Sequence, residues 1–194
     1  VLAPEPDLKQ SKAPVRTHNA GLANGALAVP AWRPDLAKEL KPGDPAPNFD
    51  LPTAGGGRIS LGALKGKRAV LYFYPKDDTP GCTQEALNFT EKAKAFAAAK
   101  VSVIGVSRDS VEKHDKFAAK HGLSIVLASD EDGKVCERYG VWKEKSLYGR
   151  TFMGIERSTF LIDAKGQVAR VWRKVKVPGH VDDVLKEVNA KAEK

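Results

Sequence analysis

Apolar residues are spread unevenly along this chain. From Lys41 onward they gather into short runs separated by polar and glycine-containing breaks, whereas residues 1–40 are rich in Pro, Ala, Gly and Asn and show no sustained period. The run Ala69-Val70-Leu71-Tyr72-Phe73-Tyr74 is continuous and of strand length, the pattern of a strand buried on both faces. Leu87, Phe89, Ala93, Phe96 and Ala97 recur at helical spacing and predict a helix over Pro80–Ala99. Val101–Val106 predicts a second buried strand. Asp109–His121 predicts a helix, with Asp109 or Ser110 as its N-cap and Gly122 just past its end. Ile125–Ala128 predicts a third strand, and Lys134–Tyr139 a short helix stopped by Gly140. Thr159–Asp163 and Val168–Trp172 read as strands around a turn of hairpin length, Ala164-Lys165-Gly166-Gln167. Val181–Ala192 closes the chain as an amphipathic helix presenting Val181, Val184, Leu185 and Val188. Before all of these, Phe49–Leu51 and Arg58–Leu61 read as short strands around Gly55-Gly56-Gly57.

Strands alternating with helices, followed by a hairpin and a last helix, predict an α/β protein with a central mixed sheet flanked by helices. The order is compatible with a thioredoxin-like fold, and right-handed crossovers would put the first two long helices on the sheet faces. The domain is expected over residues 41–194, after an N-terminal extension, poorly ordered, over residues 1–40. Within that extension Pro34–Leu40 suits a short helix, with Pro34 in its first turn.

Composition narrows the partners. A chain of 194 residues is long enough for one domain with a real core. No stretch approaches the roughly 18 apolar residues that cross a bilayer, so no membrane partner is expected. The start lacks the basic-then-apolar order of a secretory signal and is interrupted by Pro4, Pro6 and Pro14. The cytoplasm is therefore the first expectation for compartment, and because the chain opens on Val, not Met, a processed organellar or periplasmic form with an upstream segment removed is the second. The net charge is +8, but Lys and Arg interleave with Asp and Glu, and there is no basic block or aromatic-basic alternation. Nucleic acid is therefore not an expected partner. The three glycines at 55–57 are not followed by Gly-Lys-Ser/Thr and read as a turn, not a phosphate cradle.

The chain has two cysteines, Cys82 and Cys136, too few for a disulfide scaffold or a four-cysteine zinc site. Four histidines do not complete a metal spacing around them, so neither metal nor cofactor is expected. His114 and His121 read as surface or packing residues, as do Trp32, Trp142 and Trp172, with Trp142 also a candidate for lining a pocket. What remains for the cysteines is a reactive thiol, a redox pair or small buried hydrophobes.

Cys82 follows the first buried strand and a tight loop, in the first turn of the next helix if Thr79 is the N-cap and Pro80 the first helical residue. Unpaired backbone N–H groups and the positive end of the helix dipole then face the sulfur and favour its thiolate. A free thiol, with a pKa of about 8.5, is only about 3% ionised at pH 7. Helix N-termini and cations bring cysteine pKa values down to roughly 3.5–7.5, which raises the thiolate fraction by about 30-fold at most. That gain is far short of enzymatic rates. The greater part must come from holding a substrate in line with the sulfur and stabilising the charge that develops on the leaving atom. The hydroxyl of Thr79 and the N–H groups of Gly81 and Cys82 are candidate donors, and an arginine from elsewhere in the chain is expected. Taken singly, Thr79 is also a plain helix cap, Glu85 a solvated first-turn acid and Arg157 a surface arginine.

Pro75-x-x-x-Thr79-x-x-Cys82 resembles the active-site motif of the peroxiredoxins. The longer run through Gly81-Cys82-Thr83-Gln84-Glu85-Ala86 is similar to the peroxiredoxin Q branch, also called bacterioferritin comigratory protein. So are Gly105-Val106-Ser107-Arg108-Asp109-Ser110, Tyr139-Gly140-Val141-Trp142 and Gly154-Ile155-Glu156-Arg157-Ser158-Thr159-Phe160-Leu161-Ile162-Asp163. The likeness runs from about Leu40 to the C-terminus. It implies a thioredoxin-like fold and a thiol-dependent peroxidase acting on hydrogen peroxide and organic hydroperoxides. It also implies roles: Cys82 as peroxidatic nucleophile, Thr79 bonded to thiolate or peroxide, Pro75 shielding the pocket, Arg157 as the cation that holds thiolate and peroxide, and Glu85 orienting an arginine. The oxidised product would be a Cys82 sulfenic acid, which a thiol reverses.

The sequence departs from the family at the resolving cysteine. Many members carry it five residues after the peroxidatic one, where this chain has Leu87, and others carry it near Phe117-Ala118 in the next helix. Cys136 remains, either as a buried structural thiol or as a resolving thiol that local unfolding must bring within about 7 Å between Cα atoms. The first expectation is a one-cysteine cycle recycled by thioredoxin, glutaredoxin or glutathione, in a monomer or weak dimer. Two other functions stay open: a redox-sensing binding protein or chaperone on the same fold, and a disulfide oxidoreductase, although Cys82 lacks a Cys-x-x-Cys partner.

Overall fold

The computed structural model describes residues 39–147 and 149–190. The expected extension lies outside the described residues except for Glu39 and Leu40, as do most of the expected helix at Pro34–Leu40, residue Trp32 and the last two residues of the expected final helix.

A short hairpin opens the described chain, β1 (Asp50–Pro52) antiparallel to β2 (Arg58–Ser60). Then come β3 (Arg68–Phe73), α1 (Pro80–Glu91), α2 (Ala93–Ala98), β4 (Val101–Ser107), α3 (Val111–His121), β5 (Val126–Ser129) and α4 (Lys134–Arg138). A second hairpin, β6 (Trp142–Leu147) with β7 (Arg150–Ile155), leads into β8 (Ser158–Ile162), β9 (Val168–Trp172) and α5 (His180–Ala190). The main sheet runs β5-β4-β3-β8-β9. Its β3, β4 and β5 are parallel, while β8 and β9 run antiparallel to their neighbours, so the sheet is mixed.

The residues that read as a continuous apolar run form the central strand. Along β3, Ala69, Leu71 and Phe73 face one core cluster with Ile104, Val106, Ala128, Phe160 and Ile162. Val70 and Tyr72 alternate to the other cluster with Val103, Leu127 and Leu161. The first cluster is covered by the N-terminal segment (Leu40, Phe49, Leu51) and by α4 with Val135 and Cys136. The second is covered by α1, α2, α3 and α5, through Cys82, Ala86, Phe89, Phe96, Phe117, Val181, Val184 and Val188. The two crossovers, β3 to β4 and β4 to β5, step the same way along the sheet, so right-handedness puts both sets of helices on one face.

Three elements differ from the sequence reading. The expected helix over Pro80–Ala99 is two helices, broken at Lys92 (φ −90°, ψ 3°). The bend brings the rings of Phe89 and Phe96, both buried, to a centroid separation of 5.8 Å. The helix expected from Asp109 starts at Val111 with Ser110 as its N-cap, because the Asp109 carboxylate is taken by Ser107 and by the backbone N–H of Asp77. The hairpin of β6 and β7 was not expected at all. Trp-Lys-Glu-Lys-Ser-Leu carries no period-two apolar alternation, and most residues of β7 lie exposed until Ile155. Gly122 closes α3 in the left-handed conformation (φ 62°), as its position past the last apolar residue implied.

One glycine is demanded by packing. Gly105 on β4 sits opposite Tyr72 on β3, and a Cβ there would stand 2.6 Å from the tyrosine ring. The ring occupies that space because it is stacked between Phe89 at 4.6 Å and Tyr74 at 5.5 Å, over the helix that carries Cys82.

Candidate active site

Cys82 stands where strand β3 hands the chain to α1, at the C-terminal edge of the parallel strands. Thr79 has an extended backbone (φ −95°, ψ 150°) and Pro80 is the first helical residue, so the helix begins where the residue types dictate. The first intrahelical bond runs from Thr83 N–H to Thr79 carbonyl at 2.8 Å. The side chain of Thr79 does not cap: its hydroxyl donates to the carbonyl of Lys76 at 3.1 Å. Cys82, third in the helix, is 2% exposed, and the first-turn N–H groups around it have no intrahelical acceptors.

Arg157 lies in the residue pair before β8. The antiparallel register of β8 against β3, with Ser158 opposite Phe73, brings it to the end of β3 where the Cys82 loop starts. Its guanidinium donates with Nη2 to Cys82 Sγ at 3.2 Å and with Nη1 to Glu85 Oε2. Glu85, one helical turn after Cys82, is fully buried. Burial pushes its carboxyl up to about 7, against the pull of Arg157 in the other direction. Burial opposes the charge on Arg157 as well, yet Glu85 and then Cys82 outweigh it and raise that pKa further. Two polar atoms beside this pair, Glu85 Oε1 and the hydroxyl of Tyr72, have no hydrogen-bond partner among the described residues.

Of the five residues singled out from sequence, three thus meet in one bonded chain: Cys82, Arg157 and Glu85. Thr79 is adjacent to them by sequence, with its hydroxyl turned to Lys76. Pro75 is exposed and forms part of the wall of a cleft of about 380 Å³ with Arg108, Trp142, Lys145, Phe152 and Ile155. Trp142 lines this cleft with the guanidinium of Arg108 4.5 Å above its ring, while Cys82, Thr79 and Arg157 are not among the residues of its wall.

Sequence reasoning missed Lys145. It comes from β6, donates to the carbonyl of Ile155, and feels the charges of Arg157 and Cys82, while burial lowers its pKa. Only the unexpected hairpin brings it there, and no local signal marks it. His114 is a packing residue, fully buried beside Tyr74 with Nδ1 2.7 Å from Asp77, and His121, partly exposed against Phe117, binds Asp78 at 2.8 Å.

Cys136 is also buried, on α4, in the core cluster on the opposite face of the sheet from Cys82. Its N–H donates to Asp130 Oδ2 at 2.7 Å, and burial pushes its thiol up. Both cysteines are free. Among the described residues no group of three or more His, Cys, Asp or Glu side chains is placed to hold a metal ion, and no helix is long and apolar enough to cross a membrane.

Residues 42–171 match the model of the AhpC/TSA family. Among characterised sequences, the chain is 51% identical over 150 residues to peroxiredoxin Bcp of Xanthomonas campestris, covering 76% of this chain and 94% of that one. It is 48% identical over 152 residues to peroxiredoxin Bcp of Bacillus subtilis, covering 78% and 97%. Among solved structures, peroxiredoxin Q of Xanthomonas campestris superposes with a TM-score of 0.71 at 49% identity, over 74% of this chain and 91% of that one. A cysteine mutant of PrxQ from Xylella fastidiosa gives 0.76 at 42% identity, over 79% and 98%.

Proposed function

The chain belongs to the AhpC/TSA family as a thiol peroxidase of the peroxiredoxin Bcp, or peroxiredoxin Q, branch, and on that premise we propose that Cys82 is its peroxidatic thiol, working in a one-cysteine cycle. The observation that carries the reading is the 3.2 Å bond from Arg157 to Cys82 Sγ at the start of a helix, with Glu85 fixing the other arm of the guanidinium. The arginine compensates negative charge on the sulfur. As the thiolate attacks the nearer peroxide oxygen, the O–O bond breaks and charge moves to the departing oxygen. The arginine and the helix N–H groups are then the nearby donors for that oxygen. The sulfur loses two electrons and becomes Cys82–SOH; the peroxide gains them and leaves, with a proton, as an alcohol or water. Thr79 and Pro75 are assigned to the substrate side, Thr79 by a rotation of its hydroxyl away from Lys76 and Pro75 as wall of the cleft.

What supports the one-cysteine cycle is the location of Cys136. It is buried on the far face of the sheet, so a disulfide with Cys82 would require dismantling the core between them. An external thiol such as thioredoxin, glutaredoxin or glutathione would then reduce the sulfenic acid. The test is intact mass after one equivalent of hydrogen peroxide. A gain of one oxygen at Cys82 is expected, and loss of two hydrogens would mean an internal disulfide. Oxidation at Cys82 without turnover under any of the three reductants would favour a redox sensor on the same fold.

A further inference from the structure

A cleft of about 720 Å³ opens where β3, β4 and β5 begin, at the opposite end of the parallel strands from Cys82. Along β3 the step from Arg68 to Phe73 alone covers about 17 Å, and the loop to Cys82 starts beyond it. The peroxidase chemistry leaves this cleft unused. Its volume is that of a small-molecule site. Phe96 of α2 and Val101 and Val103 of β4, all buried, form part of its lining. Val126 of β5 stands in its wall at 39% exposure, one of two large apolar side chains left in solvent among the described residues.

The charge in the cleft is of one sign. Lys67, Arg68 and Lys100 line it, and no Asp or Glu does. Lys67 and Lys100 are exposed, and among the described residues neither forms an ion pair. Arg68 donates with Nη2 to the carbonyl of Ala99, which ends α2, at 2.7 Å, and with Nη1 to the carbonyl of Val188 in the last turn of α5 at 2.8 Å. Those carbonyls carry the negative ends of two helices, which uncovered would repel an anion. The guanidinium covers them and keeps donors to spare. An apolar lining with cations and no acid suits a molecule with an alkyl body and one anionic head. The one aromatic ring in the lining, Phe96, is buried against Phe89, so no ring face is free to stack a nucleotide base. A bilayer would need a broad exposed apolar face, and Val126 is the only large apolar side chain exposed at this end.

We propose that this cleft is a binding site for a single alkyl carboxylate of medium or greater chain length, with the chain against Phe96, Val103 and Val126 and the head group on Lys67, Lys100 and Arg68. The site is separate from Cys82 and stands whatever chemistry that sulfur performs. Two contributions to binding can be told apart. Each methylene taken out of water raises affinity by up to about fourfold, so the chain supplies most of the binding. The exposed ammonium groups add less, because water and salt screen them, but they select the sign of the head group.

Titration calorimetry on the full chain with sodium octanoate, decanoate and dodecanoate, each below its micelle concentration, tests the proposal. One molecule per chain is expected, with affinity rising about tenfold for every two carbons added. 1-Octanol, with the same chain and no charge, is expected to bind about fivefold more weakly than octanoate. Val126→Glu sets an acid in the wall at an exposed position and should weaken decanoate by about tenfold or more. Lys67→Ser combined with Lys100→Asn should weaken decanoate about fivefold and leave octanol within about twofold. Asn suits position 100, whose φ is 57°. Should Val126→Glu not fold, the lysine double variant decides alone. Absence of binding, affinity independent of chain length, octanol binding as tightly as octanoate, or unchanged affinity in the variants would overturn the proposal. Binding to phosphatidylglycerol vesicles without binding to free decanoate would overturn it in favour of a lipid surface. A dimer that decanoate dissociates would overturn it in favour of an interface between two copies of this chain.

Discussion

Arg157 Nη2 lies 3.2 Å from Cys82 Sγ although 75 residues of chain separate the two. Nothing local connects them. The link is the antiparallel pairing of β8 with β3, which sets the residue before β8 beside the loop that ends β3. Because the same guanidinium also reaches Glu85 with its other arm, its planar fork matters as well as its charge. Arg157→Lys keeps the charge and loses the fork. The expected result is a loss of about 10²-fold in the second-order rate of Cys82 oxidation, with little change in thermal midpoint. Stopped-flow measurement with hydrogen peroxide checks it, and a loss under threefold would separate the arginine from the chemistry.

Glu85 carries a pH dependence whose sign follows from its burial. Its carboxyl is raised from the ordinary 4.5 to about 7 in the folded protein, so the folded state holds this proton more tightly than the unfolded one. The associated stability is full below about pH 4.5 and is lost as pH rises to about 7, by at most about 3 kcal/mol. Glu85→Gln, which cannot titrate, should remove that part of the slope. Urea midpoints at several pH values between these limits, for both proteins, give the comparison. Parallel profiles would mean that Glu85 does not titrate there.

Gly105→Ala should destabilise the protein by about 1–3 kcal/mol, because the added Cβ falls 2.6 Å from the Tyr72 ring. That ring packs on Phe89 in α1, so peroxide reactivity should fall too. The double variant with Tyr72→Leu should recover part of the lost stability. Thermal midpoints of the two single variants and the double variant decide whether the effects are coupled.

Cys136→Ser puts a hydroxyl into an apolar cluster and should lower stability by about 1–3 kcal/mol. Peroxide turnover per folded molecule with an external thiol should stay near that of the unaltered protein. Cys82→Ser should abolish it. Coupled assays on both variants with thioredoxin are the check, and loss of turnover in Cys136→Ser would replace the one-cysteine cycle by a two-cysteine one.

Much of this architecture was legible in the order of residues. β3, β4 and β9 lie within one residue of their apolar runs, and Pro80 after Thr79 marks the start of α1. Local rules suffice there, since a strand buried on both faces has to be apolar throughout and a proline suits a first helical turn. The same rules failed at Lys92, where packing of Phe96 on Phe89 turned one expected helix into two, and at the β6–β7 hairpin, whose strands carry no alternating apolar period to read.

The residue types alone therefore determined that Cys82 opens a helix after a buried strand, and the motif around it indicated which arginine to look for. The tertiary structure decided what surrounds the sulfur. Sheet pairing brought Arg157 to it, burial shifted Glu85, the β6–β7 hairpin delivered Lys145, and α3 supplied His114 to a loop 37 residues away. Helix starts and buried strands are settled by neighbours in sequence. Contacts between side chains far apart in sequence, and the dielectric in which they meet, exist only once the chain has packed.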